Sequence, residues 1–466
     1  MDKNIIGKKI TVVGIARSGI AVAKLLAQKG AKVFVTDNNK NQSTEKNLSE
    51  LKKLNIQFEV GEHSSLAFDA NLVVISPGVP PDSNFILEVI TRNIPVVSEI
   101  EIASWFCDNQ IIAVTGSSGK TTTVTLIERM LSDAKKKYIT AGNIGKAFSS
   151  FVMDLVPKDI ILLEVSSFQL DFCHTFHPSI SVITNVTPNH LDRYKNSMEL
   201  YANSKKRILK NQTLNDLLIY NYEDEWTKKI ISNSTPKKIF FSTKSKKPLG
   251  TDGAFIDGEK LIVSMNGQLS EVINIHEISI KGEHNLKNAM ASTLVAMSLG
   301  VNLASLRATL RNFKGVEHRQ EFVAKINDVK FVNDSKATTV DSLRSALETI
   351  NEPIILLLGG KDKGNDYSAI NEIVKNKVRS IIAFGDSKEK IEKHFSKIVK
   401  TILIETIGND KPNILSMHKV LDKAVEISEK GNTILLSPAC ASFDWFNDYE
   451  ERGQVFKKLI YSMDKK

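Results

Sequence analysis

Between residues 111 and 122 the chain reads IIAVTGSSGKTT: an apolar, β-branched run, a turn of small residues, a lysine and threonines. Gly116, Ser117, Ser118 and Gly119 leave room for backbone N–H groups to close around phosphate oxygens. The helix expected to follow adds the positive end of its dipole. Lys120 can then reach the β- and γ-phosphates, and the Thr121 hydroxyl can bind Mg²⁺. The longer loop pattern G-x-x-x-x-G-K-[ST] wants a glycine where this chain has Val114. An ordinary strand–turn–helix leaves G-S-S-G-K-T-T in that order unexplained, so a nucleotide site is the expectation.

Two later apolar runs deliver further polar groups. DIILLEV (159–165) brings Glu164 to its end, and SISVITNV (179–186) leads through a short loop to His190 and Asp192. In a parallel sheet the carboxyl ends of strands share one edge, where ligands bind. Lys120, Glu164 and His190 are therefore expected to converge, and Glu and His suit a divalent cation that bridges phosphates. Near the N-terminus, GIARSG (14–19) followed by VTDNN resembles a dinucleotide fingerprint, with Asp37 near the expected distance. Alone it suggests a nicotinamide-dependent oxidoreductase, but Ala16 stands where the close approach of a pyrophosphate wants glycine.

The elements that must hold these residues alternate strand and helix patterns, so the fold class is α/β with mostly parallel sheets. A chain of 466 residues exceeds one ordinary core. Three blocks are expected: a Rossmann-like domain over 1–97, a central P-loop ATPase domain over 98–315, and a Rossmann-like domain over 316–466. SEIEIASWFCDNQ (98–110) reads as a connector. An Asn-Gly at 266–267 marks a hairpin expected to form a side sheet. The formal charge of +9 is mild for this length. The basic stretches at 134–137, 204–210 and 244–248 carry no interleaved aromatics, so no nucleic-acid partner is expected. Three widely spaced cysteines give neither a zinc site nor a disulfide framework and fit a reducing cytoplasm. No signal peptide and no membrane-spanning run is read.

The stretches TGSSGKTT, AGNIG (141–145), LEVSSFQL (163–170) and NVTPNHLDRY (185–194) together resemble the Mur ligases of peptidoglycan synthesis, whose loop has the short form G-x-x-G-K-[ST]. Within that family, EVSSFQLD and SPACASFDWFNDYEERG (437–453) are similar to the members that add D-glutamate. The resemblance covers nearly the whole chain in order. DNPR, which marks members adding a diamino acid, is absent. Another Mur-type ligase, a folylpolyglutamate-type ligase and a non-catalytic nucleotide-binding regulator are the competing readings. Lys120, Glu164, His190 and Lys205, all present, argue against the last.

The resemblance implies a monomer in which ATP phosphorylates a substrate carboxylate, an amine attacks the acyl phosphate, and phosphate leaves a tetrahedral intermediate. The implied substrates are UDP-N-acetylmuramoyl-L-alanine and D-glutamate. By similarity, Gly116 to Thr122 bind ATP phosphates, joined by Asn285 and Asn288 near adenine and by Arg319 and Asp334. Thr121, Glu164 and His190 are implied as ligands of two Mg²⁺ ions, with a carbamate on Lys205 as a further metal ligand. The residues alone do not choose Lys205 over Lys206; the family's spacing from HLDRY does. Asn143 is implied to hold the muramoyl group, and Arg17, Ser18, Asp37, Ser76 and Gly78 the UDP end. Lys336, Thr338, Lys363, Ser442 and Phe443 are implied around the amino acid, with Lys361 a confounder of Lys363. Without the resemblance, DSKAT (334–338) reads as a helix N-cap. Domain closure is implied as a water-excluding step.

Overall fold

Alternating apolar β-branched runs and amphipathic stretches fold into three sheets in a computed structural model that describes residues 3–38, 42–189, 191–244, 251–362, 364–408 and 410–463. The chain forms two compact units, Met1–Phe313 and Lys314–Lys466, and the first unit contains the first two sheets. The expected α/β class is what forms.

The first sheet comprises β1 (Lys9–Val13), β2 (Lys32–Asp37), β3 (Gln57–Val60), β4 (Leu72–Ile75) and β5 (Val96–Ser98). All its pairings are parallel, in the order β3-β2-β1-β4-β5. The second has nine strands: β6 (Ile111–Thr115), β7 (Tyr138–Gly142), β8 (Ile160–Glu164), β9 (Ile180–Ile183), β10 (Leu217–Asn221), β11 (Lys237–Ser242), β12 (Gly253–Asp257), β13 (Lys260–Met265) and β14 (Gln268–Asn274). Its order is β14-β13-β12-β11-β10-β9-β6-β8-β7. The Asn-Gly turn does join an antiparallel hairpin, β13 to β14. It does not form a separate side sheet, because β12 pairs in parallel with β11 and carries the hairpin onto the edge of the main sheet.

One apolar core contains Val12 and Val74 of the first sheet together with Ala113 and Leu163 of the second. A second core lies where the helices Lys120–Asp133 and Glu283–Ser298 pack on one another. In the other unit the order is β15 (Glu321–Ile326), β16 (Val329–Asn333), β20 (Thr433–Leu436), β17 (Ile354–Gly359), β18 (Val378–Phe384), β19 (Lys400–Leu403). Only β15 runs antiparallel.

The expected connector at 98–110 is partly helical, over Glu99–Ser104, capped by Ser98. The reason is Glu101, an acid in the helix's first turn. Its buried carboxylate accepts from Thr175 N (2.8 Å), Thr175 Oγ1 (2.7 Å), Trp105 Nε1 (3.0 Å), His174 N (3.0 Å) and Phe176 N (2.9 Å). Burial pushes its pKa up, but these donors outweigh burial and leave it lowered. A depressed carboxyl pKa stabilises the fold above the unfolded value of about 4.3 and loses that contribution as pH falls through the folded one. Glu101→Gln should therefore cost about 1–3 kcal/mol at pH 7. In thermal melts the gap to the unaltered chain should close as the medium is acidified below pH ~4; a gap that widens in acid would refute this assignment.

Candidate active site

β6 lies between β9 and β8, so the loop after it opens where the strand order reverses, the position at which α/β sheets bind ligands. Gly119 caps the helix Lys120–Asp133 in the left-handed region, at φ 79°. A Cβ there would stand 2.4 Å from Asn288 Oδ1, and one on Gly116 would stand 1.9 Å from Thr184 Oγ1. Glycine is required at both by close approach. The segment after β9 braces the loop: Ser117 N donates to Asn185 O (2.9 Å), Ser118 N to Asn185 Oδ1 (3.0 Å), and Thr184 Oγ1 to Ser118 O (2.6 Å). Thr123 N donates to Gly119 O (2.9 Å), the first helical bond. The leading N–H groups of the helix thus lack intrahelical acceptors, as a phosphate cradle requires.

Gly116 O accepts from Lys120 Nζ (2.8 Å) and also from Lys205 Nζ (2.9 Å). Lys205 is buried, over the ring of Tyr201, whereas Lys206 is exposed. Burial, and then repulsion from Lys120, hold the Lys205 amine well below the ordinary lysine range, with Asp171 opposing. The two lysines that the sequence left unseparated on their own chemistry therefore differ in kind.

Glu164 ends β8 opposite Val114 of the P-loop strand. Its Oε1 accepts from Asn143 Nδ2 (2.8 Å), while Oε2, buried, has no hydrogen-bond partner among the described residues. A buried carboxylate oxygen without a donor is costly unless a cation reaches it. With the Thr121 hydroxyl in the first turn of the P-loop helix, the donors fit a hard divalent ion. His190 lies outside the described residues. Asn288, buried, accepts from Thr123 Oγ1 (3.4 Å) and donates to Asn285 (3.5 Å), so this pair stands beside the phosphate loop. Lys287 anchors their helix through Glu223 and Glu283, each at 2.8 Å.

A cleft of about 670 Å³ is lined by Arg17, Ser18, Asp37, Ser76, Gly78 and Asn143 together. Asp37 Oδ2 accepts from Ile15 N (2.7 Å) and so braces the glycine turn as well. Arg193 donates to Pro77 O (3.2 Å) and Gly78 O (3.4 Å) and lies 4.2 Å over the Phe168 ring. Gln169 also lines the cleft; its buried Nε2 has no partner among the described residues.

In the unit Lys314–Lys466, Asp334, Lys336 and Thr338 follow β16, and Ser442 and Phe443 follow the adjacent β20. Lys363, after β17, lies outside the described residues. Lys361 pairs with Asp386 (2.9 Å). Asp334 is buried and accepts from Ser437 Oγ (2.7 Å) and Gln320 N (3.1 Å). Burial raises its pKa to about 7 against these bonds and the nearby charges of Arg319 and Arg452. It does not cap a helix; Thr339 does, accepting from Ser342 N (3.3 Å), because the chain first turns at Ser335 and Lys336, with Ala337 N donating to Asp334 O (2.8 Å), and the helix starts only after the extended Thr339. Ser442 is buried, Phe443 is exposed, and Lys336 Nζ lies 5.6 Å over the Tyr449 ring. Fully buried Arg452 donates to Ser335 Oγ (2.9 Å), Ser335 O (2.8 Å) and Cys440 O (3.1 Å), clamping both loops. Glu317, His318 and Glu321 converge like metal donors, but the Lys457 ammonium already bonds both carboxylates.

Sequence reasoning missed Thr184, Asn185, Gln169, Tyr449 and Arg452. Gln169 has a legible signal, S-x-x-Q at 166–169, but that pattern reports its capping box with Ser166 and not the cleft. Arg452 has none, since arginine in an amphipathic helix ordinarily faces water.

Comparison with known proteins agrees with this layout. Residues 8–98 match the model for the Mur ligase MurD-like N-terminal domain, 114–296 the Mur ligase middle domain, and 318–440 the Mur ligase glutamate ligase domain. The chain is 40% identical to a UDP-N-acetylmuramoylalanine–D-glutamate ligase of Chloroherpeton thalassium, over 98% of each chain. It is 41% identical to the protein of that name from Chlorobium limicola, over 98% of this chain and 99% of that one. Among solved structures, the UDP-N-acetylmuramate–alanine ligase of Thermotoga maritima shares the fold at TM-score 0.56 and 22% identity, covering 98% of this chain and 100% of that one. No helix among the described residues is long and apolar enough to cross a membrane. The loops, their order along the chain and these end-to-end matches agree: this chain is a member of the Mur ligase family.

Proposed function

We propose that the chain is an ATP-dependent ligase that adds D-glutamate to UDP-N-acetylmuramoyl-L-alanine in peptidoglycan precursor synthesis, acting as a cytoplasmic monomer. The observation that carries this reading is the end-to-end match, at about 40% identity, to relatives named for that reaction. A carboxylate is a poor electrophile because an oxide ion leaves badly; transfer of the γ-phosphoryl group to it creates a good leaving group. Lys120 and the N–H groups of the P-loop helix hold and neutralise the phosphates. Asn143 and Arg17 orient the UDP-linked substrate. The amino group of D-glutamate, held among Lys336, Thr338, Lys363, Ser442 and Phe443, attacks the acyl carbon, and phosphate departs. Mg²⁺, when bound by Thr121, Glu164 and His190, neutralises the facing anions.

Lys205 carries a second step of the reading. A neutral amine can attack CO₂, forming an N–C bond and releasing a proton, so its lowered pKa favours a carbamate where an ammonium would not react. The carbamate adds an anionic metal ligand to the site.

Phosphate release should require ATP, Mg²⁺, UDP-N-acetylmuramoyl-L-alanine and D-glutamate together; equal turnover with L-glutamate would refute the substrate assignment. Lys205→Ala should lower turnover by about 100-fold and regain part of it in formate or acetate. Lys206→Ala should stay active, and rescue of that variant instead would identify the wrong lysine.

A further inference from the structure

Residues 221–224, Asn-Tyr-Glu-Asp, close β10, which lies between the parallel strands β9 and β11. The turn they form is therefore flanked by the segments that follow both neighbours. The helix Glu283–Ser298, which carries Asn285 and Asn288, packs across β10 and β11.

On the β9 side, Asn221 Nδ2 donates to Thr184 O (3.2 Å), and Asp224 Oδ2 accepts from Val186 N (3.1 Å). These bonds grip the residues on either side of Asn185, which holds Ser117 and Ser118 of the phosphate loop. On the β11 side, Glu223 Oε1 accepts from Ser242 Oγ (2.9 Å), Thr243 N (2.5 Å), Thr243 Oγ1 (2.9 Å) and Lys244 N (3.0 Å). Its Oε2 lies 2.8 Å from Lys287 Nζ.

Surface ion pairs contribute little because water and salt screen them. This pair is largely shielded: the Glu223 side chain is 11% exposed and that of Lys287 22%. Burial works against the charge of Glu223, yet the Lys287 ammonium and then the Ser242 and Thr243 donors hold its carboxyl down at about 2. Lys287 already has its ordinary helical partner in Glu283, four residues earlier. The bond to Glu223 adds something else, since it fixes the helix to the edge of the sheet.

A nucleotide gains from being held at both ends only when the two binding walls stand at its own length, and fixing that spacing beforehand lowers the cost of binding. We propose that Glu223 is a positioning residue for ATP: it ties the helix bearing Asn285 and Asn288 to the turn that braces the phosphate loop, and so sets the spacing between the adenine wall and the phosphate cradle. This assignment rests on the ATP reading of the preceding section and adds the residue that holds the two ends of that site in register.

The test is calorimetric titration of the full chain with ADP and with inorganic tripolyphosphate, which carries no base. Glu223→Gln keeps the size of the side chain and removes its charge. It should weaken ADP by about tenfold, the worth of one charge-assisted hydrogen bond, and leave tripolyphosphate within about twofold. Lys287→Met leaves the other bonds of Glu223 in place and should weaken ADP by the same factor, which keeps the proposal testable should Glu223→Gln fail to fold. The double variant should lose no more than either single one, because both changes remove one interaction. In phosphate release, each single variant should raise KM for ATP by about tenfold and leave kcat and the KM for UDP-N-acetylmuramoyl-L-alanine unaltered. Unchanged ADP affinity in the single variants, additive losses in the double variant, or an equal loss of tripolyphosphate would each overturn the assignment. If the unaltered chain binds ADP and the variants bind it equally well, only the role of Glu223 falls. If the unaltered chain binds neither ADP nor tripolyphosphate, the ATP reading falls and the assignment with it.

Discussion

The carbonyl oxygen of Gly116 holds two lysine amines, and the first unit's chemistry is arranged around that fact. Lys120 reaches it from the helix that starts four residues on, and Lys205 from a helix far along the chain. Burial of Lys205, and then repulsion from Lys120, hold its amine well below the ordinary lysine range. One backbone atom thereby joins two amines of different burial, Lys205 shut in and Lys120 half-exposed. The turn can present that atom only because Gly116 and Gly119 let Thr184 and Asn288 approach to distances no side chain would tolerate.

The same topological device recurs in each sheet. In the first, Gly14 and Ser76 flank the reversal of strand order between β1 and β4; in the second, the P-loop flanks the reversal between β6 and β9; in the third, Asp334 and Ser442 follow neighbouring strands β16 and β20. Carboxyl ends of parallel strands point their terminal loops to one edge, so residues distant in sequence meet without long excursions. Glu164 and Asn143 show the economy of this. They stand at the carboxyl ends of adjacent strands β8 and β7 and are joined by a hydrogen bond, so the carboxylate beside the P-loop strand touches the wall of the cleft.

Much of this was legible in the sequence because the signals were local. Strand–loop–helix punctuation located the phosphate loop, and helical spacing put Asn285 and Asn288 on one face. What stayed hidden depended on distant partners. The side-sheet expectation failed because hairpin chemistry at 266–267 says nothing about which edge the hairpin joins. Residues 98–110 looked like a linker because Glu101 earns its burial from Thr175 and its neighbours, seventy-odd positions away. DSKAT imitated a helix cap, while Asp334 is drawn inward by Ser437. Lys205 and Lys206 are identical as letters and differ only in what surrounds them.

Arg452 carries a consequence for how the last unit comes into being. A guanidinium shut away from water is tolerable only when its donors are occupied, and its acceptors here lie on two loops separated by about a hundred positions. Neither loop alone satisfies it, so a half-assembled pair would strand a positive charge in the interior. This end of the chain is thus cooperative by construction: a chain that reaches its folded state does so with both loops in place, and one that lacks either loop is recognisable as unfinished.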